Sequence, residues 1–401
     1  MRFWNGFLAA VLSAILPGLA LAGWVSQNSG VAVALNSVHF PVDGQTGYIS
    51  GFSGTLLKTT NGGTNWMTQT SGVTVSLLCI QFPADDQTGF AAGQTGTILG
   101  TTNGGATWAA QASGTTNGLS AVWFPTDART GYVCGDSGRI LKTTDGGAGW
   151  TRLTSGVTAW LNSVHFPLDA QTGYAAGRNG TILKTTDGGA SWQALVSGTP
   201  SVLSCVRFPA DVLTGYVVGS SGTVRKTTDG GANWTAQSPG TTSPLTSVHF
   251  PADVLTGYAV GAGVIRKTTD GGANWTIQVP GTTNMLNSVW FPQNAMTGYI
   301  AGGGGSGSTI LKTTDGGVGV EEENKGFEGS RVQGFKITPN PFVSLATVPG
   351  REGERFSLYD VSGKRIGVTL GDRIGAGLAP GVYFLRAETG EAGPVRVVKI
   401  R

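Results

Sequence analysis

Charged side chains are scarce in this sequence. Only 12% of its 401 residues are charged, the net charge is +3, and basic residues form no run. Without a cluster of basic residues the protein is not expected to neutralise the phosphates of a nucleic acid, which argues against nucleic acid as a partner. The same scarcity argues against coiled coils and charged disordered tails. Long apolar stretches are also missing beyond the N-terminus, so we expect no later segment to span a bilayer.

Cysteine is equally rare, with three residues in the whole chain. Cys79 and Cys205 occupy the same position in two copies of an internal repeat, and Cys134 stands where neighbouring copies carry alanine. Such positions favour small buried side chains over a disulfide framework.

The N-terminus has the composition of an export signal. Arg2 precedes an apolar stretch of about 15 residues, and Ala20-Leu21-Ala22 offers small side chains for cleavage before Gly23. Pro17-Gly18 interrupts the stretch, which is shorter than the roughly 20 residues of a membrane-spanning helix. We therefore expect residues 1–22 to be a cleaved signal peptide. The mature protein is then soluble or attached to a surface.

What the chain has in abundance is glycine, 66 residues, much of it inside a repeat. The string Lys-Thr-Thr-(Asp/Asn)-Gly-Gly, or a variant of it, recurs about every 42 residues. Each copy contains four short β segments separated by turn residues. In one copy they are residues 161–166, 173–176, 181–185 and a strand that opens at Trp192. A period near 42 with four strands per unit is typical of propeller blades.

The ends of the repeat predict how the ring closes. The last turn, at Asp315, has no tryptophan strand after it, whereas the strand at Trp24 has no turn before it. The strand-opening tryptophans are Trp24, Trp66, Trp108, Trp150, Trp192, Trp234 and Trp275. We therefore predict an all-β fold, with a seven-bladed β-propeller over residues 23–317 that the N-terminal strand closes. Closure leaves no sheet edge free to aggregate.

The repeated turn resembles the Asp-box, or BNR repeat, in the pattern of Thr143, Asp145, Gly147 and Trp150. A short carboxylate can accept hydrogen bonds from the backbone of its own turn, and glycine supplies positive φ angles. Asn61 and Asn103 replace the aspartate in two copies. The turn is therefore predicted to be structural. Lys58 and its five equivalents are expected to form a solvated stripe beside these turns.

Asp-box propellers include sialidases and other glycoside hydrolases, which cut with two carboxylates or with a tyrosine and an acid. Residues 23–317 hold no glutamate, and only Asp86 and Asp136 fall outside the repeated turns. The three histidines are spread over three copies instead of gathering as metal ligands. We predict no enzyme activity, no metal and no cofactor. A secreted glycoside hydrolase or sialidase-like enzyme is the alternative.

Positions at which the copies differ are the candidate binding residues. The column before Phe-Pro holds His39, Gln81, Trp123, His165, Arg207, His249 and Trp290. A second column, in the Gly-x-x-Gly turn, holds Phe52, Gln94, Asp136, Arg178, Ser220 and Ala262. We predict that the first column, with Asp136 and Arg178, forms a binding surface for a protein or glycan near the central channel. The alternative is that these side chains only pack the blades.

The composition changes after residue 317. A polar stretch containing Glu321 to Glu323 predicts a linker at 318–334, and residues 335–401 alternate like the strands of a small β-sandwich. The sequence at 339–342, 359–365 and 381–384 closely resembles the type A sorting domain of the type IX secretion system. The resemblance implies passage across an outer membrane through that machinery, then removal of the domain and attachment to the cell surface. A plain Ig-like adhesive module is the alternative.

The succession of blades resembles the photosystem II stability and assembly factor family of cyanobacteria and plastids. This resemblance implies a seven-bladed propeller without enzyme activity that holds a membrane-protein precursor. Residues and resemblance together predict an exported, monomeric binding or scaffold module, secreted or held at the cell surface.

Overall fold

The structure is a computed structural model that describes residues 23–251, 253–304, 307–317, 353–359, 365–370, 381–387 and 395–399. The predicted signal peptide, the predicted linker and the Pro-Asn-Pro-Phe segment lie outside the described residues. The chain divides into two units, Met1–Val320 and Glu321–Arg401. The domain boundaries at residues 22, 317 and 334 stay predictions.

The described residues of the first unit form seven antiparallel sheets of four strands, which are the blades. The first strands of neighbouring blades contact one another around the ring, so they line the hub. For blades 1 to 7 these innermost strands are Leu35–His39, Leu77–Gln81, Leu119–Trp123, Leu161–His165, Leu203–Arg207, Leu245–His249 and Leu286–Trp290.

The other strands follow outward in chain order. The second strands are Gly47–Gly51, Gly89–Gly93, Gly131–Gly135, Gly173–Gly177, Gly215–Gly219, Gly257–Gly261 and Gly298–Gly304. The third strands are Leu56–Thr59, Ile98–Thr101, Arg139–Thr143, Ile182–Thr185, Thr223–Thr227, Val264–Thr268 and Gly307–Thr313. The outermost strands are Met67–Gln69, Ala109–Gln111, Thr151–Leu153, Gln193–Leu195, Thr235–Gln237, Thr276–Gln278 and, for blade 7, Val25–Gln27. Single 3₁₀ turns lie at Gln94–Gly96, Asp136–Gly138 and Ser220–Gly222.

The N-terminal strand closes the ring. Val25–Gln27 pairs antiparallel with the third strand of blade 7, and Val25 lies opposite Lys312 in the register. The predicted seven blades and their closure by the strand after Trp24 are both confirmed. The predicted β segments of blade 4 are also confirmed to within about one residue at the strand ends, which is the usual uncertainty of such boundaries.

The same aromatic contact holds each blade to the one before it. In blade 1, the Phe40 ring stacks on Tyr299 of blade 7 with centroids 3.8 Å apart, and Trp66 packs edge-on against Phe40 at 6.0 Å. A Cβ at Gly47 would lie 2.3 Å from the Phe40 ring. The glycine of the Thr-Gly-Tyr string is therefore required by this close approach. Phe40 and Tyr299 are fully buried.

The Asp-box turns are closed by their own side chains. In blade 3, the Thr143 hydroxyl donates to the Asp145 carboxylate at 2.7 Å, and Gly149 N–H donates to the same carboxylate oxygen at 3.0 Å. Gly146 and Gly147 have φ angles of +74° and +87°, which only glycine adopts easily. In blade 1, the Asn61 side-chain oxygen accepts the equivalent N–H bond from Asn65. An amide thus replaces the carboxylate without loss of the turn.

The second unit contains one four-stranded antiparallel sheet among its described residues. Its strands are Arg355–Tyr359, Arg365–Leu370, Gly381–Ala387 and Val395–Lys399, and Arg355–Tyr359 lies between the second and third of these. Whether this sheet belongs to the predicted sandwich stays a prediction. In the described part of the chain, no helix has the length and apolar character needed to cross a membrane.

Candidate functional site

The strand register separates the two candidate columns. Leu35 pairs with Gly51 at one end of the innermost strand, and His39 pairs with Tyr48 at the other. The Asp-box turn lies at the His39 end, where Gly62 N–H donates to Gln45 O at 2.9 Å. We call this end of the ring the Asp-box face. The opposite end, formed by the turns between second and third strands, is the turn face.

The column before Phe-Pro faces the hub and ties each blade to the next. The acceptors are nitrogen or oxygen atoms of His39, Gln81, His165 and His249, which bind the backbone N–H of the next blade's phenylalanine. The indoles of Trp123 and Trp290 instead donate to that phenylalanine's carbonyl oxygen, at 2.9 and 3.0 Å. Six side chains of three kinds therefore make the same connection between neighbouring blades.

Arg207 is the exception in this column. Its Nη1 donates to Val206 O of its own strand at 3.3 Å, and its guanidinium reaches two blades back to the Trp123 ring, 4.9 Å from the centroid. Nearby, His39 and His249 each lie 4.4 Å from the Trp290 ring. The hub is therefore lined by packed aromatic, imidazole and guanidinium groups.

The hub histidines are neutral. Burial, with a smaller contribution from the Arg207 charge, lowers the pKa of His39 to about 3 and that of His249 to about 3. The same two causes hold the pKa of His165 well below its usual value. Each Nδ1 accepts a backbone N–H, so the proton of each ring is on Nε2.

The second column lies on the turn face and is more open to solvent. Phe52, Gln94 and Arg178 are exposed, while Asp136 is half-buried. The backbone N–H of each donates to the residue that precedes the innermost strand, as Arg178 does to Trp160 O at 2.9 Å. These bonds therefore fix the backbone of the turns that carry these side chains.

Blade 4 carries an arginine–tryptophan pair on the turn face. The Arg178 guanidinium lies over the half-buried Trp160 ring, 4.3 Å from its centroid. The Trp160 indole in turn donates to Ser120 Oγ of blade 3 at 2.8 Å. Sequence comparison of the copies pointed to Arg178 but missed Trp160. The signal was present, since the equivalent residues of the other described blades are not aromatic.

Asp86 and Asp136, the two aspartates outside the repeated turns, lie on opposite faces. Tyr48 donates to the Asp86 carbonyl oxygen on the Asp-box face, whereas the Asp136 carboxylate accepts Gly118 N–H on the turn face. An innermost strand of five residues, about 17 Å long, separates the faces. A pair of glycosidase carboxylates works at about 5–9.5 Å. Among the described residues, no group of three or more His, Cys, Asp or Glu is placed to hold a metal ion.

The expected solvated lysine stripe is wrong. Lys58 Nζ donates to the carbonyl oxygen of Gly104, in the Asp-box turn of blade 2, at 2.8 Å, and lies 5.3 Å from the Tyr48 ring centroid. The other five lysines of this column make the same bond to the next blade. Burial lowers the pKa of Lys267 and Lys312. These lysines stabilise the ring because a glycine carbonyl of the following blade needs a donor.

The three cysteines are free. Cys134 and Cys205 are buried and Cys79 is half-buried, in line with the prediction of small packing residues. Burial raises the pKa of Cys134 and of Cys79. Neither thiol has the lowered pKa of a reactive cysteine.

A family model supplies the identification. The model described as "Photosynthesis system II assembly factor YCF48" matches residues 17–110, 69–156, 110–206 and 156–289, and these overlapping segments together span 17–289. The chain belongs to this family. No curated protein matches the chain in sequence.

Solved structures of YCF48 have the same fold. A structure titled "YCF48 bound to D1 peptide" superposes with a TM-score of 0.61 at 18% identity, covering 75% of this chain and 99% of that one. YCF48 from Cyanidioschyzon merolae gives 0.60 at 18% identity, covering 73% and 98%. The WD40 repeats of RRP9, at 12% identity, give a TM-score of 0.60 and cover 73% and 97%. At these identities the likeness shows the propeller fold.

Proposed function

We propose that this YCF48-family chain is a non-catalytic propeller that binds a segment of a partner protein on its turn face. One observation carries the proposal. Most side chains of the hub column, and the lysines beside the Asp-box turns, make hydrogen bonds between blades. Phe52, Gln94 and Arg178 are instead exposed on the turn face.

The chemistry of the turn face suits a protein ligand. Arginine and aromatic side chains are the most frequent anchors of protein interfaces, and Arg178 over Trp160 provides both at one point. Backbone bonds already hold the turns, so little conformational entropy is lost on binding. The YCF48 structure whose title names a bound D1 peptide supports a peptide-like ligand.

We further propose that the protein acts outside the cytoplasm. The N-terminal export signal and the resemblance of residues 335–401 to a type IX sorting domain support secretion or display at the cell surface. Deletion of residues 335–401 is then expected to trap the protein in the periplasm. Unchanged delivery of the truncated chain to the surface would contradict this part of the proposal.

Site-specific photocrosslinking tests the binding face. A photoreactive residue replaces Gln94 on the turn face of blade 2 in the full chain. The matched control carries it at Ala106, which is exposed on the Asp-box face of the same blade. We expect one defined protein adduct in the native envelope from the Gln94 position and none from Ala106. Excess unlabelled wild-type chain should compete with the adduct.

Four outcomes would count against the proposal. Equal adducts from both positions would mean that neither face is selective, and adducts from Ala106 alone would move the site to the Asp-box face. Release of reducing sugar from a glycan by the wild-type chain, abolished by Asp86→Asn or Asp136→Asn, would favour the hydrolase alternative. Saturable binding of an unmodified glycan on the turn face would replace the protein partner by a carbohydrate.

A further inference from the structure

The hub contains a small cavity, partly open to solvent, with one charged group in its lining. The cavity has a volume of about 50 Å³, and Arg207, His39, Gln81, Trp123 and Trp290 are among the residues around it. Among the described residues, no carboxylate lines it. The volume exceeds the roughly 30 Å³ that one water molecule occupies in the liquid. It is far below the roughly 300 Å³ at which pockets for organic ligands begin.

Arg207 lies near the centre of the hub and has donors to spare. Its charge acts on the histidines of blades 1, 4 and 6, which places the guanidinium within electrostatic reach of all three. A guanidinium carries five N–H donors, and the structure gives Arg207 one hydrogen bond, to Val206 O. Arg207 is half-buried, and no carboxylate is among the residues that line the cavity beside it, so an anion bound there would meet no competing negative charge.

Several other polar groups of the lining keep hydrogen atoms to donate. His39 uses Nδ1 as an acceptor, which leaves a proton on Nε2, and no described residue accepts from that proton. Three serine hydroxyls of the lining accept backbone N–H groups of the following blade and so keep their own protons to donate. These hydroxyls belong to Ser163, Ser247 and Ser288.

We propose that the hub binds one small inorganic anion, of the size of a halide, beside the Arg207 guanidinium. A cavity that offers donors, one positive charge and no carboxylate is selective for negative charge. Its volume is too small to hold a nucleotide or a sugar phosphate. The anion would neutralise the hub and tie blade 5 to the opposite side of the ring. This inference does not depend on the proposed turn-face site.

The test measures thermal unfolding of the full chain while potassium bromide replaces potassium glutamate at constant ionic strength. Glutamate is too large for the cavity, and bromide is visible by anomalous scattering in crystals. We expect the unfolding temperature to rise with bromide and to saturate, and an anomalous peak next to Arg207. In Arg207→Gln the bromide concentration at half-effect should rise about tenfold or more, because the charged donor is lost.

Two features keep the outcome clear. Arg207 is the one member of its column without a hydrogen bond to the next blade, so its replacement leaves the hydrogen bonds of the column intact and removes only its contacts with Val206 O and the Trp123 ring. Arg178→Gln removes the same charge from the turn face and should keep the wild-type bromide response. The proposal is overturned if bromide and glutamate stabilise the chain equally, or if both variants respond alike. Absence of bromide density in the hub of soaked crystals would also overturn it.

Discussion

The indole Nε1 of Trp290 donates a hydrogen bond to the carbonyl oxygen of Phe40, 250 residues earlier in the chain, at 3.0 Å. Trp123 makes the equivalent bond to Phe166 between blades 3 and 4. The interface that closes the ring is therefore built like those within it. Lys312 and Tyr299 also reach the Gly62 carbonyl across this seam, as their equivalents do elsewhere.

Removal of the N-terminal strand should open the seam. In the full chain, Val25–Gln27 covers the edge of the strand Gly307–Thr313. A chain that begins at Asn28 has only three strands in blade 7 and leaves that edge exposed. We expect a loss of at least about 2 kcal/mol in unfolding free energy and the appearance of oligomers. Urea unfolding and size-exclusion chromatography measure both. A chain that begins at Gly23 is the control, and equal behaviour of the two would contradict the closure.

The interblade tyrosines should be sensitive to loss of one hydroxyl. Tyr174 donates to the carbonyl oxygens of Val212 and Gly230, at 2.9 and 3.1 Å. Tyr174→Phe should cost about 1 kcal/mol in unfolding free energy, because buried carbonyls lose a donor. The reverse change tests the same idea, since Phe90 occupies this column in blade 2. Phe90→Tyr should be neutral or stabilising, and stability losses in both variants would refute the role of the hydroxyl.

Acid should destabilise the hub through its histidines. The pKa of His39 is about 3 in the folded chain and 6.5 as a free side chain. As pH falls, His39 is therefore protonated in the unfolded chain before it is protonated in the folded chain. Its contribution to the unfolding free energy is fully present above pH 6.5 and falls by about 1.4 kcal/mol per pH unit as pH drops towards 3. His39→Gln, which copies Gln81, should keep the interblade bond without the titration. Between pH 7 and 5 it should lose about 1–2 kcal/mol less than wild type in urea unfolding.

An unchanged pH slope in His39→Gln would mean that protonation of this imidazole does not limit stability. Wild type and variant should be alike within about 1 kcal/mol at pH 8, where the imidazole is neutral in both the folded and the unfolded chain. A large loss at pH 8 would show that glutamine does not reproduce the imidazole's contact with Phe82.

The Asp-box carboxylates should matter only at low pH. Hydrogen bonds from Ser191 and Thr185 lower the pKa of Asp187 to about 2. The stability that this carboxylate contributes is present above its ordinary pKa and is lost as pH falls through about 2. Asp187→Asn, which copies Asn61, should remove that acid dependence and keep the fold. Asp187→Ala should lower the unfolding temperature more at pH 7, and equal effects of the two changes would contradict the hydrogen-bond role.

The architecture was predictable because the same pattern of turn and strand residues recurs in each blade. The turn glycines, the tryptophans and the unmatched ends at Trp24 and Asp315 determined the number of blades and the closing strand. The interblade bonds of the lysines were missed, because their partners lie in the next copy of the repeat. Blade 2 held the signal, since Gly100 replaces lysine where Phe90 replaces tyrosine. In the other six blades, the lysine and the tyrosine of these two columns donate to the same glycine carbonyl of the next blade.

The candidate columns were predictable as variable positions, but their placement was not. His39 accepts a hydrogen bond, whereas Trp123 donates one, yet both bind the phenylalanine backbone of the next blade. Because one side chain is an acceptor and the other a donor, comparison of the residue types did not indicate that both connect neighbouring blades. The register that sends His39 and Arg178 to opposite faces depends on strand pairing, which comparison of the copies does not show.

The account's central claim is that turn-face residues bind the partner, whereas repeated residues stabilise the ring. The most direct test is the dissociation constant of the protein captured through Gln94, measured for two variants. Arg178→Met and Lys184→Met each remove one cation from blade 4. The account predicts about tenfold weaker binding for Arg178→Met with unchanged unfolding free energy. For Lys184→Met, which loses the bond to Gly230 O, it predicts unchanged binding and a loss of about 1–2 kcal/mol in stability. Equal weakening by both variants, or none by Arg178→Met, would contradict it.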